Sequence, residues 1–207
     1  MLEQFKGKLI ISCQALPDEP LHSSFIMGRM ALAAKQAGAV GIRAQSTDDI
    51  REIKKVTGLP VIGLIKRNFD DSEIYITPTH QEIAELLDTS CEIIALDATL
   101  RKRPGDEKLA DLVDQIHAGG RLALADISND AEGLNAEKIG FDCVSTTMSG
   151  YTPYTPSFEG PDYGLVARMA GQLSIPVFAE GRINTPDGST NAAPTVPSSA
   201  RLLPVPS

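Results

Sequence analysis

The sequence predicts an α/β protein of the TIM (β/α)8-barrel type that is incomplete, with strand eight and the last helices missing. Three observations support this. Seven short, β-branched apolar runs recur along the chain, patterns of helical period separate them, and a polar or charged residue closes each run.

The runs are KLIISC, AVGIR, PVIGLI, EIIALD, RLALAD, FDCVSTT and IPVFAE. Their near-continuous hydrophobicity fits parallel strands buried on both faces. The first run leads into residues 12–17, which contain no glycine. A doubly wound nucleotide-binding sheet needs a Gly-rich turn at that point, so the barrel is favoured over the open sheet.

The helices follow from caps and stripes. Ser46, Asp48 and Asp49 open a helix carrying Ile50, Ile53 and Val56. Thr79 and Glu82 form a capping-box pattern before Ile83, Leu86 and Leu87, and Asn129 with Glu132 repeats it before a segment ending at Gly140. Over residues 106–118, Leu109, Leu112, Val113 and Ile116 form one apolar stripe, which predicts a helix lying on the sheet. After Glu180, Thr185, Pro186 and Asp187 signal another helix start, but the sequence that follows is rich in Pro and Ser and has no period. The expected organisation is therefore an incomplete barrel domain over residues 1–188 and a disordered tail over 189–207.

Composition excludes several classes of function. The 207 residues carry a formal net charge of −8. No basic face is available for a nucleic-acid backbone, although one Arg and a few N–H groups suffice for a single phosphate. The first residues lack the longer apolar core of a secretion signal, and no stretch approaches the ~18 apolar residues that span a membrane. Cys13, Cys91 and Cys143 are widely spaced, and His22, His80 and His117 are isolated from one another. Reduced core thiols, no structural metal and a cytoplasmic location are the expectations.

In a barrel, chemistry sits at the carboxyl ends of the strands. Those positions hold Gln14, Arg43, Lys66, Asp97, Asp126, Thr146 with Thr147, and Glu180. Taken singly, each is an ordinary strand end or helix cap. Taken together, Arg43, Lys66, Asp126 and Glu180 face one cavity, where desolvated charges must pair or shift their protonation. A lysine opposite a carboxylate suits proton transfer at a carbon beside a carbonyl. The same placement serves a Schiff-base aldolase, and spacing does not separate the two.

These residues also carry a resemblance. The segments are ISCQA at 11–15, GIRA at 41–44, PVIGLIKR at 60–67, YITPT at 75–79, ALDAT at 95–99 followed by Arg101, Arg103 and Pro104, ADIS at 125–128, Thr146 and Thr147 with GYT at 150–152, and AEGRI at 179–183. In order from about residue 3 to 187, the chain resembles the bacterial N-acetylmannosamine-6-phosphate 2-epimerases. The resemblance implies an isomerase that interconverts N-acetylmannosamine 6-phosphate and N-acetylglucosamine 6-phosphate in sialic acid catabolism, with no metal or redox cofactor. It implies that Lys66 moves the C2 proton, that Glu180 assists as acid/base, and that Gln14, Arg43, Asp126 and Arg182 bind the phosphosugar. It places the YTPYTP stretch at 151–156 in a loop over the barrel mouth. The alternatives are an inactive truncated homologue with weak phosphosugar binding and another phosphate-binding barrel enzyme such as a Schiff-base aldolase. No nucleic acid or membrane is an expected partner, and a homo-oligomer is left open.

Overall fold

A computed structural model describes residues 1–157 and 159–183. The expected helix start at 185–187, the boundary at 188 and the tail at 189–207 lie outside the described residues. Within them the chain alternates strand and helix: β1 (Ile10–Cys13), α1 (Ser24–Gln36), β2 (Gly41–Gln45), α2 (Thr47–Thr57), β3 (Val61–Leu64), α3 (His80–Leu87), β4 (Ile93–Asp97), α4 (Leu109–Ala118), β5 (Leu122–Asp126), α5 (Asp130–Ile139), β6 (Cys143–Ser145), α6 (Tyr163–Gln172) and β7 (Val177–Phe178). The seven strands form one sheet in sequence order, every pairing parallel, and it curls as an incomplete TIM barrel.

Strand periodicity sorts side chains into two cores. Ile42, Ala44, Val61, Ile94, Leu96, Ala123, Ala125, Val144 and Val177 point outward and are buried against the helices. Ile10, Ile62, Leu64, Ile93, Ala95, Leu124, Cys143 and Phe178 point inward and fill the barrel. Each Ile- or Leu-sized side chain so buried contributes about 1.5–3 kcal/mol, and these inner layers give the barrel a solid floor. The floor is closed by Phe5, which lies on a short 3₁₀ turn and meets Phe178 edge to face at 6.3 Å. Gly41 makes room for it, since a Cβ there would lie 3.0 Å from the Phe5 ring.

The capping signals are mostly realised. Ser46 caps α2 by accepting from the Asp49 N–H, and Gly58 ends the helix in the left-handed region. Thr79 and Glu82 make the reciprocal capping box of α3. The α5 pattern is half realised: Asn129 accepts from the Glu132 N–H, but the Glu132 carboxylate turns to Ser128. The helix expected over 106–118 begins only at Leu109. A 3₁₀ turn over Pro104–Asp106, with Gly105 at φ 59°, takes up the preceding residues and prevents helix propagation through them.

Four strand ends differ from expectation. β6 stops at Ser145, and Thr146 and Thr147 lie in the 3₁₀ turn that follows it. Arg43 lies in the middle of β2, while Lys66 and Glu180 each lie two residues beyond β3 and β7. Lys66 is nevertheless held, because its backbone bridges antiparallel to Ile76.

Candidate active site

The alternation that fills the barrel floor also builds its mouth. Continuing each inward row toward the carboxyl end gives Ser12 and Gln14 after Ile10, Arg43 after Gly41, Lys66 after Leu64, Asp126 after Leu124, Ser145 and Thr147 after Cys143, and Glu180 after Phe178. Apolar layers below and polar layers above share one parity. Successive side chains in a strand point to opposite faces, so the strands aim these positions at one mouth, and the loops just beyond them complete the set.

They meet around Arg43, which is 3% exposed. Its Nη2 donates to Asp126 Oδ2 at 2.6 Å, and its Nη1 donates to Asp126 Oδ1 and Glu180 Oε2, both at 3.1 Å. Ser145 Oγ donates to Glu180 Oε2 at 2.9 Å. Thr147 Oγ1 lies 2.7 Å from Asp126 Oδ1 and 3.0 Å from Glu180 Oε2. The Glu180 backbone is fixed as well: its N–H donates to Thr146 Oγ1, and its carbonyl accepts from that hydroxyl. Two carboxylates share one guanidinium here, so removing Arg43 would leave buried charge uncompensated, at a cost of about 3–5 kcal/mol.

Burial pushes the Asp126 carboxyl up to about 6; Arg43 opposes the shift and the Glu180 charge reinforces it. The two carboxylates hold the Arg43 guanidinium firmly in its charged form despite burial. Lys66 is different: it makes no ion pair among the described residues. Burial, and then the Arg43 charge, lowers its pKa below the ordinary lysine value, while Glu180, Glu19 and Asp126 pull the other way. The result is a lysine with a larger neutral fraction, aimed into a space walled by acid groups.

That space is a cavity of about 670 Å³, within the range of small-molecule sites. Gln14, Arg43, Lys66, Glu180 and Arg182 all line it. Asp126 does not; it is fully buried behind Arg43 and acts on the cavity through that side chain. Gln14 donates its Nε2 to Ser12 Oγ at 2.7 Å, and its buried Oε1 accepts no hydrogen bond from the described residues. Asp97, named from the sequence with this set, follows Ile93 and Ala95 on the inward row but does not line the cavity; its carboxylate is taken up by Thr99 and Arg101.

Arg182 sits at the rim with φ 55°, following Gly181 at φ 101°. Its Nε donates to the Gly160 carbonyl at 2.7 Å and its Nη1 to the Ser149 carbonyl at 2.9 Å, while the guanidinium lies 5.2 Å from the Tyr151 ring centroid. The 151–156 segment is thus a loop pinned at the mouth, and Tyr151 lines the cavity. Gly150 permits the approach, since a Cβ there would lie 3.0 Å from Arg182 Nη1.

Tyr75 and Glu19 also line the cavity, from connections rather than strand ends, and strand-end reasoning does not reach them. Tyr75 lies in the segment that bridges back to Lys66, and its phenol is raised mainly by burial. Its signal in the sequence was weak, an aromatic in a strand-to-helix connection that also holds Phe69.

Comparison with known proteins fixes the lineage. The NanE family model, described as N-acetylmannosamine-6-phosphate epimerase, matches residues 27–199. The chain belongs to this family. A Clostridium perfringens (strain SM101) protein named as an N-acetylmannosamine-6-phosphate 2-epimerase is 67% identical over 187 residues, covering 90% of this chain and 85% of that one. A Clostridioides difficile protein of the same name is 63% identical over 186 residues, covering 90% and 83%. The solved structure of the N-acetylmannosamine-6-phosphate 2-epimerase from C. perfringens superposes with a TM-score of 0.95 at 62% identity, covering 100% of this chain and 88% of that one. Among the described residues, no helix is long and apolar enough to cross a membrane. In this family member, one cavity brings together Gln14, Arg43, Lys66, Glu180 and Arg182, with Asp126 beneath it.

Proposed function

We propose that this chain is an N-acylglucosamine-6-phosphate 2-epimerase, interconverting N-acetylmannosamine 6-phosphate and N-acetylglucosamine 6-phosphate by removing and returning the proton at C2. The observation that carries the reading is Lys66: an unpaired, partly buried lysine with a depressed pKa, lining the same cavity as a carboxylate fixed by Arg43 and Ser145. Opening of the sugar ring puts an aldehyde beside C2 and acidifies its proton. Neutral Lys66 takes that proton, an enolate forms, and delivery of a proton to the opposite face gives the epimer. Glu180 is the acid/base partner, held at the wall so that its carboxyl can exchange a proton with the substrate.

Gln14, Arg43 and Arg182 are the substrate-binding residues. The unpartnered Gln14 Oε1 supports contact with a sugar hydroxyl or amide. Arg182, fixed at the rim by two carbonyls, supports contact with an anionic group. Asp126 binds indirectly, by orienting Arg43. The reaction needs no metal or redox cofactor, because the aldehyde supplies the carbanion sink. We assign it to amino-sugar breakdown, specifically sialic acid catabolism, in the cytoplasm, where three free, buried cysteines are at home.

The test is incubation with N-acetylmannosamine 6-phosphate in heavy water. Epimerisation with deuterium appearing at C2 of both sugars is expected. Conversion without deuterium at C2, or no conversion, overturns the mechanism, and borohydride trapping of a substrate–lysine adduct would favour the aldolase reading.

A further inference from the structure

The hydroxyl of Thr147 occupies an unusual position. It lies 2.7 Å from Asp126 Oδ1, 3.0 Å from Glu180 Oε2 and 2.8 Å from Ser145 Oγ, yet it carries a single proton. It therefore cannot donate to both carboxylates at once. With both acids ionised, Thr147 donates to Asp126 and Ser145 donates to Glu180, so every oxygen facing the pair has a partner. With one proton added to the pair, that proton sits on Asp126 Oδ1 and points at Thr147 Oγ1, while the Thr147 proton turns to Glu180 Oε2. Both arrangements use the same heavy-atom positions, and one added proton with a hydroxyl rotation separates them.

We propose that Thr147 is the positioning residue that passes a proton between buried Asp126 and cavity-lining Glu180, making Asp126 the reserve from which Glu180 is recharged. This rests on the reading of Glu180 as the acid/base partner. Asp126 releases its proton to Thr147 Oγ1 as the Thr147 proton passes to Glu180. Asp126 ends as carboxylate, Glu180 ends as acid, and Thr147 ends with one proton as it began.

The placement suits the task. Asp126 is fully buried and cannot exchange directly with solvent or substrate, whereas Glu180 reaches the cavity. Among the described residues the two carboxylates have two kinds of bridge in common: Arg43, which holds its protons permanently, and the Thr147 hydroxyl, which can reverse. Burial keeps the Asp126 proton within reach of physiological pH. The charged and titratable groups facing the pair are Arg43 from β2, Lys66 and Tyr75 from the connection after β3, and Cys143 from β6. Lys66 is the other proton carrier at the cavity wall; when product has left and the cavity is open, Glu180 takes a proton from water there and the same relay run in reverse refills Asp126, so the pair begins each turnover with its proton in place.

Two substitutions test this. Thr147→Val keeps shape and removes the hydroxyl, while Thr147→Ser keeps the hydroxyl and removes the methyl. Carbon-13 NMR of the Asp126 carboxyl in ligand-free protein should show its midpoint moving up in Thr147→Val, because a donor to the ionised form is lost, and staying near wild type in Thr147→Ser. In the epimerisation assay, kcat should fall about tenfold for valine with little change in KM, equivalent to one lost hydrogen-bonding step, and serine should restore it. An unmoved Asp126 midpoint in the valine variant overturns the proposal, as does an equal loss of kcat in both variants. If wild-type protein does not epimerise the sugar, the functional reading fails, yet the carboxyl titration still decides whether Thr147 links the two acids.

Discussion

Two groups of buried carboxylates, those that clamp the starts of α3 and α5 and those at the barrel mouth, could hardly be used more differently. At the first turns of α3 and α5, Glu82 and Glu132 are fully inaccessible. Glu82 accepts from the Thr79 N–H and hydroxyl at 2.8 and 2.5 Å and pairs with Arg67. Glu132 accepts from the Ser128 N–H and hydroxyl at 2.6 and 2.7 Å, the Leu100 N–H at 3.2 Å and the Tyr154 hydroxyl at 2.6 Å. Each clamps neighbouring loops by saturating its oxygens with donors, some from its own helix start and some from loops distant in sequence. At the barrel mouth, Asp126 and Glu180 instead share one guanidinium and one hydroxyl across strands distant in sequence, beside a lysine with no ion pair among the described residues. Buried charge alone therefore does not mark a site. Convergence on a cavity with a group left unpartnered does.

The comparison breaks most visibly at Lys66. Lys66→Ala should lower kcat by at least ~10²-fold with a smaller change in KM, since it removes the base and little binding surface. The unfolding temperature should hold or rise, because no ion pair is lost and a desolvated amine is removed. A variant with normal turnover would move the chemistry elsewhere.

The clamps should behave in reverse. Glu132→Ala leaves the buried Ser128 N–H without its acceptor, at about 1–3 kcal/mol, and also releases the Leu100 N–H and the Tyr154 hydroxyl. Thermal unfolding should fall by several degrees, while turnover per folded molecule stays within about twofold. Glu180→Gln should show the opposite split, losing rate while remaining folded. If both variants lose rate and stability together, the distinction between clamp and site is wrong.

The pH profile sharpens the same contrast. Lys66 acts as a base only when neutral, so kcat/KM rises with pH through its pKa. Burial and Arg43 lower that pKa, so the midpoint of the rise should lie below the ordinary lysine value of 10.5. Glu180 opposes the shift, so in Glu180→Gln the residual activity should show this rise at still lower pH. Movement of the limb to higher pH would mean that another group titrates there.

Much of this was legible in the sequence because β-strand alternation is so regular. Once the runs around KLIISC, PVIGLI and RLALAD are strands, Gln14, Lys66 and Asp126 follow on the inward row. Depth was not legible: Asp126 and Lys66 look alike as strand ends, yet one is sealed behind Arg43 and the other lines the cavity. That depends on how far each strand reaches, which tertiary pairing sets; the bridge from Lys66 to Ile76 has no signature in the local sequence. The capping box at Thr79 was readable because both partners lie within one turn. The Glu132 clamp was not, since Leu100 and Tyr154 come from distant loops. Thr147 stood out only as the end of an apolar run, and its three-way contact emerges from strands five, six and seven together.

The smallest expected effect lies where the two regions touch. The 151–156 loop is anchored at the mouth by Arg182, through the Ser149 carbonyl and the Tyr151 ring, and at the α5 clamp by the Tyr154 hydroxyl on Glu132. Tyr154 is 49% exposed, so water can replace part of what its hydroxyl supplies. Glu132 also keeps its Ser128 and Leu100 donors when that hydroxyl is gone. Tyr154→Phe should therefore cost about 0.5–1.5 kcal/mol of stability, the net worth of one ordinary hydrogen bond. The Arg182 anchor still holds the cavity side of the loop, so kcat should be unchanged within about twofold and KM should rise by less than about threefold. A tenfold rise in KM would show that the clamp region sets the loop over the substrate. The two populations of buried carboxylate would then be coupled through Tyr154, and the clamp would belong to the site.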